Sequence, residues 1–235
     1  MKPTRPHPRE DQVAELTRGQ SLPFPALHEE HLMCIAEALV RAWNDLLVDR
    51  RSLLLSAGEP EVNSLMESRL NALLDEDGLW ALVARGVTRG KETLSYDGSH
   101  LEKRPDLSIL LTDRSPSFPL IVECKLIDVR SRKTVDSYCD EGLLRFVRGD
   151  YGWAGREAFM LAYVRDGSTI SSRLAPFLVA GRAGQPDVYL TEALPESIWE
   201  HLARSTHKRE FHYVRQSHGP GAITIWHLWI APSPQ

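Results

Sequence analysis

Three ionisable residues lie within short apolar stretches of the chain, where charged side chains are unusual. Glu123 and Lys125 belong to the stretch LIVECKLID, residues 120–128, and Asp106 belongs to KRPDLSILL, residues 103–111. Burying an unpaired charge costs several kcal/mol. Three charges in two neighbouring apolar segments therefore call for a chemical reason.

Both stretches are typical of β-strands, and RSPSFP, residues 114–119, is typical of the turn between them. Successive side chains of a strand alternate between its two faces. Glu123 and Lys125 are therefore predicted to share one face, with Cys124 on the other. Pairing of the two strands is expected to bring Asp106 toward Glu123 and Lys125.

Such a group of side chains has a definite chemistry. Two neighbouring carboxylates repel each other unless a cation lies between them, and oxygen-rich sites suit Mg²⁺ or Mn²⁺. Asp106, Glu123 and the backbone carbonyl of Cys124 are the expected ligands. A lysine beside them is suited to orienting or deprotonating an attacking water, or to stabilising charge on a phosphate. The alternative is a structural ion pair between Glu123 and Lys125, with Asp106 as a turn residue.

The elements that must position these residues follow from periodicity. Apolar residues at helical spacing predict helices over 28–54, 61–74, 134–147 and 171–180, and a further helix over 195–204. Short apolar or alternating runs predict strands near 80–87, 91–96, 107–112, 119–126 and 158–164. Residues 209–216 and 222–231 are predicted to pair as a closing β-hairpin. We expect residues 1–20 to be loosely ordered and residues 21–235 to form one α/β domain with a mixed central sheet.

The motif RPD, followed after sixteen residues by ECK, resembles the core of the PD-(D/E)XK nuclease superfamily, which has the restriction-endonuclease-like fold. That fold has an αβββαβ core around a four-stranded mixed sheet, and the resemblance covers about residues 59–165. It implies that Asp106 and Glu123 bind a catalytic Mg²⁺ and that Lys125 serves the attacking water. It also implies a DNA endonuclease, with restriction or another anti-phage defence system in the bacterial cytoplasm as its setting.

Members of this superfamily often use a further glutamate on the first core helix. Glu59, Glu61 and Glu67 compete for this role. We favour Glu61, which lies in the first turn at the border of the apolar face. The alternative is a solvated helix face on which Glu61 interacts favourably with the helix dipole.

Two further regions are candidates for contacts around the site. Tyr138 and Arg145 lie seven residues apart, near one face of the predicted helix 134–147. They could contact a phosphate or brace the site, but we favour the alternative, in which Tyr138 packs in the structure and Arg145 is a surface charge. The loop RGDYGWAGRE, residues 148–157, is either a surface loop or one wall of a nucleic-acid groove, because arginines and aromatic rings can stack on bases. The histidines match no zinc motif and are expected at the surface or in the terminal hairpin. If that hairpin forms, His207 and His227 can meet in a secondary polar cluster.

Composition sets the remaining limits. The 235 residues are 42% apolar and 26% charged, with a net charge of −4, whereas a stand-alone nucleic-acid binder usually has a basic surplus. A non-cutting or partner-dependent accessory subunit with the same fold is therefore the alternative function, and a structural interaction protein is a third. Three cysteines without a CxxC pair suggest reduced thiols in the cytoplasm. We expect no membrane span, and a homo-oligomer is compatible with the sequence.

Overall fold

Seven strands form one mixed sheet in the computed structural model, which describes residues 8–99, 104–184, 186–213 and 218–232. The strands are β1 (Ala84–Thr88), β2 (Leu107–Leu111), β3 (Leu120–Ile127), β4 (Glu157–Val164), β5 (Thr191–Trp199), β6 (Leu202–His207) and β7 (Ile223–Ile230). Their order across the sheet is β1-β2-β3-β4-β7-β6-β5. The pairs β3/β4 and β4/β7 are parallel, and the other four pairs are antiparallel. The prediction of an α/β protein with a mixed sheet is confirmed.

Helices cover both faces of this sheet. They are α1 (Pro8–Leu16), α2 (Glu29–Ser56), α3 (Glu59–Glu76), α4 (Gly78–Val83), α5 (Val135–Tyr138), α6 (Leu144–Val147) and α7 (Ala175–Ala183). The π-helical turns Cys139–Leu143 and Ile170–Leu174 connect α5 to α6 and lead into α7. None of the helices within the described ranges combines the length and apolar character needed to cross a membrane.

The alternation of side chains along the strands produces two cores. On one face, the even-numbered residues of β3, such as Val122 and Leu126, pack with buried residues of α2, α3 and α4. On the other face, Ile121 and Ile127 pack with the segment 135–147 and with α7. All eight residues of β3 are buried. Glu123 and Lys125 therefore lie in a strand covered on both faces, as their apolar neighbours predict.

The predicted strands around Asp106 and Glu123 are confirmed, with shifts of one or two residues at their ends. The strand expected near 80–87 begins only at Ala84. The Asp77 side chain accepts hydrogen bonds from the backbone N–H groups of Leu79 and Trp80, and this N-cap starts α4 at residues expected to be extended. No strand forms over 91–96, where the described residues make only an isolated bridge position.

Two predictions for the C-terminal third are wrong. Residues 195–204, expected to be helical, form the end of β5 and the start of β6. Residues 209–213 form no strand, and 214–217 lie outside the described residues, so the expected hairpin with 222–231 is replaced. The strand β7 instead lies between β4 and β6, parallel to the first and antiparallel to the second.

The N-terminal segment contains a helix. Residues 8–16 form α1, and Val13 is buried against a small cluster that includes Trp153 and Tyr213. Residues 1–7 lie outside the described residues.

Candidate active site

Asp106 immediately precedes β2, the strand that pairs with β3. Leu107 pairs with Val122, which places Asp106 beside Glu123. The Asp106 carboxylate is held from two sides, because Oδ2 accepts a hydrogen bond of 2.8 Å from the Cys124 backbone N–H and Oδ1 accepts one of 2.9 Å from Asn63 Nδ2. The expected approach of Asp106 to Glu123 and Lys125 is therefore present in the structure.

Lys125 is the centre of the cluster. Its ammonium donates to Glu123 Oε1 at 2.8 Å and to the Cys124 carbonyl at 3.0 Å. The same nitrogen lies 3.7 Å from Glu59 Oε1 and 3.9 Å from Asp106 Oδ2. One buried ammonium thus stands among three carboxylates.

Helix α3 brings Glu59 to Lys125, whereas the favoured Glu61 caps the start of the helix. Glu61 Oε2 accepts a 2.8 Å hydrogen bond from the Gly58 backbone N–H at the start of α3, and its side chain caps the helix. Glu59 Oε2 instead accepts from the Leu126 backbone N–H at 3.0 Å, while Oε1 faces Lys125. Glu67 lies 3.5 Å from Arg89 and takes no part in the contacts around Lys125 among the described residues.

Arg145 adds a second cation to the cluster. Its Nη1 donates to Glu123 Oε1 at 2.9 Å and to the Tyr151 hydroxyl at 3.1 Å. Of the two residues on this helix that could contact the site, Arg145 therefore reaches it. Tyr138 does not, because its hydroxyl contacts His227 Nδ1 at 2.9 Å deeper in the core.

The π-turn before Arg145 brings the helix backbone close to Glu123. A Cβ atom at Gly142 would lie only 2.4 Å from Met160 Cε and 3.6 Å from Glu123 Cγ. A larger residue would push this turn away from the strand. Single π-turns of this kind occur frequently at functional sites.

Burial and mutual repulsion raise the pKa values of the acidic side chains of the cluster. Burial, followed by the charge of Asp106, raises the pKa of Glu123 to about 7. Burial also raises the pKa values of Asp106 and Glu59, against the opposing effect of the Lys125 charge. Burial acts to lower the pKa of Lys125. The negative charges of Glu123, Glu59 and Asp106 have the larger effect, and together they raise this pKa above its ordinary value. The cluster therefore keeps its lysine charged and resists full ionisation of its acids.

One carboxylate oxygen of the cluster is available to a cation. Glu123 is 1% exposed, and its Oε2 has no hydrogen-bond partner among the described residues. Three carboxylates face two cationic side chains, so full ionisation leaves an excess negative charge that a divalent cation would offset. Within the described ranges, no group of three or more His, Cys, Asp or Glu side chains is placed to hold a metal ion. The metal ligands predicted from the sequence are two carboxylates, those of Asp106 and Glu123, and the Cys124 carbonyl.

Sequence reasoning missed Asn63 and Tyr163, which position the site. Asn63 is 1% exposed on α3 and connects Asp106 to Tyr163, whose hydroxyl donates to Asn63 Oδ1 at 2.9 Å. An asparagine directly after Val62 on the apolar side of a predicted helix is a signal that was available. Likewise, Glu61 three residues after Gly58, with Pro60 between them, has the pattern of an N-terminal cap.

The histidine prediction needs a correction as well. His207 and His227, expected at the surface or in the terminal hairpin, are both 0% exposed. The Ser205 hydroxyl joins them, at 2.7 Å from each Nε2 atom. They therefore meet through β6 and β7 rather than through the hairpin that was expected.

We compared the chain with protein-family models, with curated proteins and with solved structures. None of the three comparisons finds a match.

Proposed function

We propose that the protein is a Mg²⁺-dependent endonuclease that hydrolyses phosphodiester bonds of DNA, with Mn²⁺ as a possible substitute ion. The observation that carries the proposal is the position of the Lys125 ammonium, within 3.9 Å of Glu59, Asp106 and Glu123. A buried carboxylate oxygen without a partner, Glu123 Oε2, supports it. Restriction or another anti-phage defence system is the proposed setting.

The order of elements around the site also supports the proposal. Helix α3 precedes the antiparallel strands β1, β2 and β3, and the helical segment 135–147 then leads to β4, which is parallel to β3. Apart from α4, which lies between α3 and β1, this order resembles the αβββαβ order that the RPD and ECK motifs imply. We therefore propose a restriction-endonuclease-like core over about residues 59–165.

The side chains divide the chemistry among them. Asp106, Glu123 and the Cys124 carbonyl would hold the ion, which when bound would offset charge on the phosphate. Hydrolysis adds one water across a P–O bond: the water oxygen bonds to phosphorus, and the bond to the leaving oxygen breaks. Lys125 is placed to orient this water and to stabilise the additional negative charge on the phosphate. Glu59 and Arg145 position Lys125 and Glu123 through the contacts described above.

A second candidate function rests on the same contacts. Lys125 already pairs with Glu123 at 2.8 Å, and the net charge of the chain is −4. Both features suit an accessory subunit that keeps the fold, binds nucleic acid or a partner protein and does not cut alone. Cleavage that appears only after the chain is combined with a co-purifying partner supports this second candidate.

A cleavage assay tests the first candidate. The purified chain is incubated with plasmid, linear duplex and single-stranded DNA, each with Mg²⁺, with Mn²⁺ or with a chelator. We expect cleavage that requires the metal and is lost in Asp106→Ala. The matched control is Asp75→Ala, which removes an exposed carboxylate of α3. Undiminished cleavage by a folded Asp106→Ala protein contradicts the proposal.

A further inference from the structure

A cavity of about 210 Å³ lies beside the candidate site and is partly open to solvent. Its lining is mainly apolar and includes four aromatic side chains: Phe24, Phe118, Tyr151 and Trp153. Pockets for drug-sized ligands have volumes of about 300 Å³ or more. This cavity is therefore suited to a smaller group, such as a single planar ring system.

The cavity and the site share one face of the sheet. Ser108 and Ile121 line the cavity and pair with each other across β2 and β3. Each lies two residues from a member of the site, Ser108 from Asp106 and Ile121 from Glu123, which is about 7 Å along a strand. A phosphate at the site and a ring in the cavity are thus separated by a distance that one nucleotide can span.

One side chain links the two places directly. Tyr151 lines the cavity, and its hydroxyl accepts a hydrogen bond from Arg145, which also binds Glu123. A ligand against Tyr151 therefore lies one side chain away from the acid whose partner is Lys125. This continuity distinguishes the cavity from an unrelated surface depression.

The cavity also carries polar groups whose hydrogen-bonding capacity is not used. Glu157 lines it and is 7% exposed, and its Oε2 has no hydrogen-bond partner among the described residues. Thr88 also lines the cavity, and its Oγ1 has no hydrogen-bond partner among the described residues. Both oxygen atoms are enclosed by protein atoms, so the cavity presents mainly its aromatic rings to a ligand.

We propose that this cavity binds one unpaired nucleobase of the strand whose phosphate lies at the candidate active site. This inference rests on the proposed nuclease function and specifies its substrate. A base enters such a pocket only after it leaves the stack, so the substrate is single-stranded or carries an extrahelical base. Stacking on aromatic rings supplies the binding energy.

Binding to three DNAs of the same sequence tests the inference with the full chain: a perfect duplex, a duplex with one extrahelical cytosine, and the single strand. Fluorescence anisotropy is measured in Ca²⁺, and gels confirm that the DNA stays intact. We expect the extrahelical cytosine to raise affinity over the perfect duplex by about tenfold, the typical effect of one stacked base. Ser108→Leu, which fills the cavity, should abolish this preference. Ser108→Ala, which leaves it open, should retain a severalfold preference.

Each outcome decides the matter. A wild-type protein without preference for the unpaired base overturns the inference, and so does a folded Ser108→Leu protein that keeps it. If Ser108→Leu does not fold, Thr88→Leu on the edge strand β1 replaces it, with the same expectation. Mg²⁺-dependent cleavage without base preference rejects the cavity assignment alone. Base preference without cleavage of any DNA rejects the nuclease function and leaves the cavity as a nucleic-acid binding site.

Discussion

The protein has two buried polar clusters, and they are built on opposite principles. The first is the charged group around Lys125. The second is a neutral chain of hydrogen bonds through Tyr138, His227, Ser205, His207 and the Tyr189 carbonyl. Both lie in or beside central strands of the sheet. The charged group has one carboxylate oxygen, Glu123 Oε2, without a partner among the described residues.

The direction of every hydrogen bond in the neutral chain follows from its last acceptor. The Tyr189 carbonyl can only accept, so His207 Nδ1 carries the proton and its Nε2 accepts from the Ser205 hydroxyl. Ser205 Oγ in turn accepts from His227 Nε2–H, so His227 Nδ1 is left to accept from the Tyr138 hydroxyl at 2.9 Å, in preference to the Met160 carbonyl, which lies 3.2 Å from the same hydroxyl. Burial lowers the pKa of His207 to about 4 and places that of His227 well below its ordinary value. Both rings are neutral near pH 7, and each ring nitrogen has a partner.

The difference indicates which cluster serves structure and which serves chemistry. A buried polar network that satisfies all its members helps to specify one packing of the core. A buried cluster of charges with an unused oxygen costs stability and is retained for another reason. The following predictions test this contrast, from the largest expected effect to the smallest.

Removal of the central cation should have the largest effect. We expect Lys125→Ala to lower the rate of Mg²⁺-dependent DNA cleavage by about 10²- to 10³-fold, because it removes the charge placed to stabilise the phosphate. Initial rates on plasmid DNA measure it. Lys208→Ala, at an exposed lysine 3.8 Å from Glu192, is the matched control and should cleave at the wild-type rate. Equal cleavage rates for wild type and Lys125→Ala would mean that the charged cluster, like the neutral one, serves structure.

A substitution in the neutral chain should lower the stability of the protein. Ser205→Ala leaves one donor and one acceptor of two buried imidazoles without a partner, at a cost of about 2–4 kcal/mol in the free energy of unfolding. Urea denaturation measures this change. Ser197→Ala, at an exposed serine of β5, should cost less than about 0.5 kcal/mol. A Ser205→Ala protein as stable as wild type contradicts the structural role of the chain.

Replacement of Glu123 should stabilise the protein in metal-free buffer, whereas replacement of Ser205 should destabilise it. The pKa of Glu123 is raised from 4.5 to about 7, so the folded protein favours the protonated acid. Its contribution to stability is complete below pH 4.5 and is lost as the pH rises toward 7. Glu123→Gln removes this loss, and we expect the variant to gain on the order of 1–3 kcal/mol relative to wild type between these pH values. Parallel stability curves for the two proteins between pH 4.5 and 7 contradict the raised pKa.

The smallest effects should separate the two glutamates of α3. Glu61→Ala removes a helix cap and should lower the free energy of unfolding by about 1 kcal/mol, with cleavage unchanged. Glu59→Ala removes a partner of Lys125 and should reduce cleavage. Thermal melts and cleavage rates of the two variants, measured side by side, check this assignment. A larger loss of cleavage in Glu61→Ala than in Glu59→Ala reverses it.

The sequence predicts the charged cluster better than the neutral one. Asp106, Glu123 and Lys125 stand out because charges interrupt apolar strands, and a short turn between β2 and β3 makes them neighbours. Glu59 escapes prediction because Glu61 lies closer to the apolar face, although Glu61 has the spacing of a helix cap and accepts a hydrogen bond from the Gly58 backbone N–H. Asn63 and Arg145 depend on tertiary contacts across more than twenty residues.

The neutral cluster depends on strand pairings that periodicity does not determine. Ile198, Trp199 and Leu202 have helical spacing, but they belong to β5 and β6. Pro195 is compatible with β5 because that strand lies at the edge of the sheet. Nothing in the local sequence predicts that β7 lies beside β4, although this pairing brings His227 within reach of Tyr138.

Calorimetric titration of the full chain with Mg²⁺, and separately with Mn²⁺, tests most directly whether the charged cluster is a metal site. We predict saturable binding by the wild-type protein at one site, and its loss in Asp106→Ala but not in Asp75→Ala. Absence of Mg²⁺ and Mn²⁺ binding by the folded wild-type chain, or binding that Asp106→Ala leaves unchanged, would contradict the account and leave Glu59, Asp106, Glu123 and Lys125 as a buried salt-bridge network.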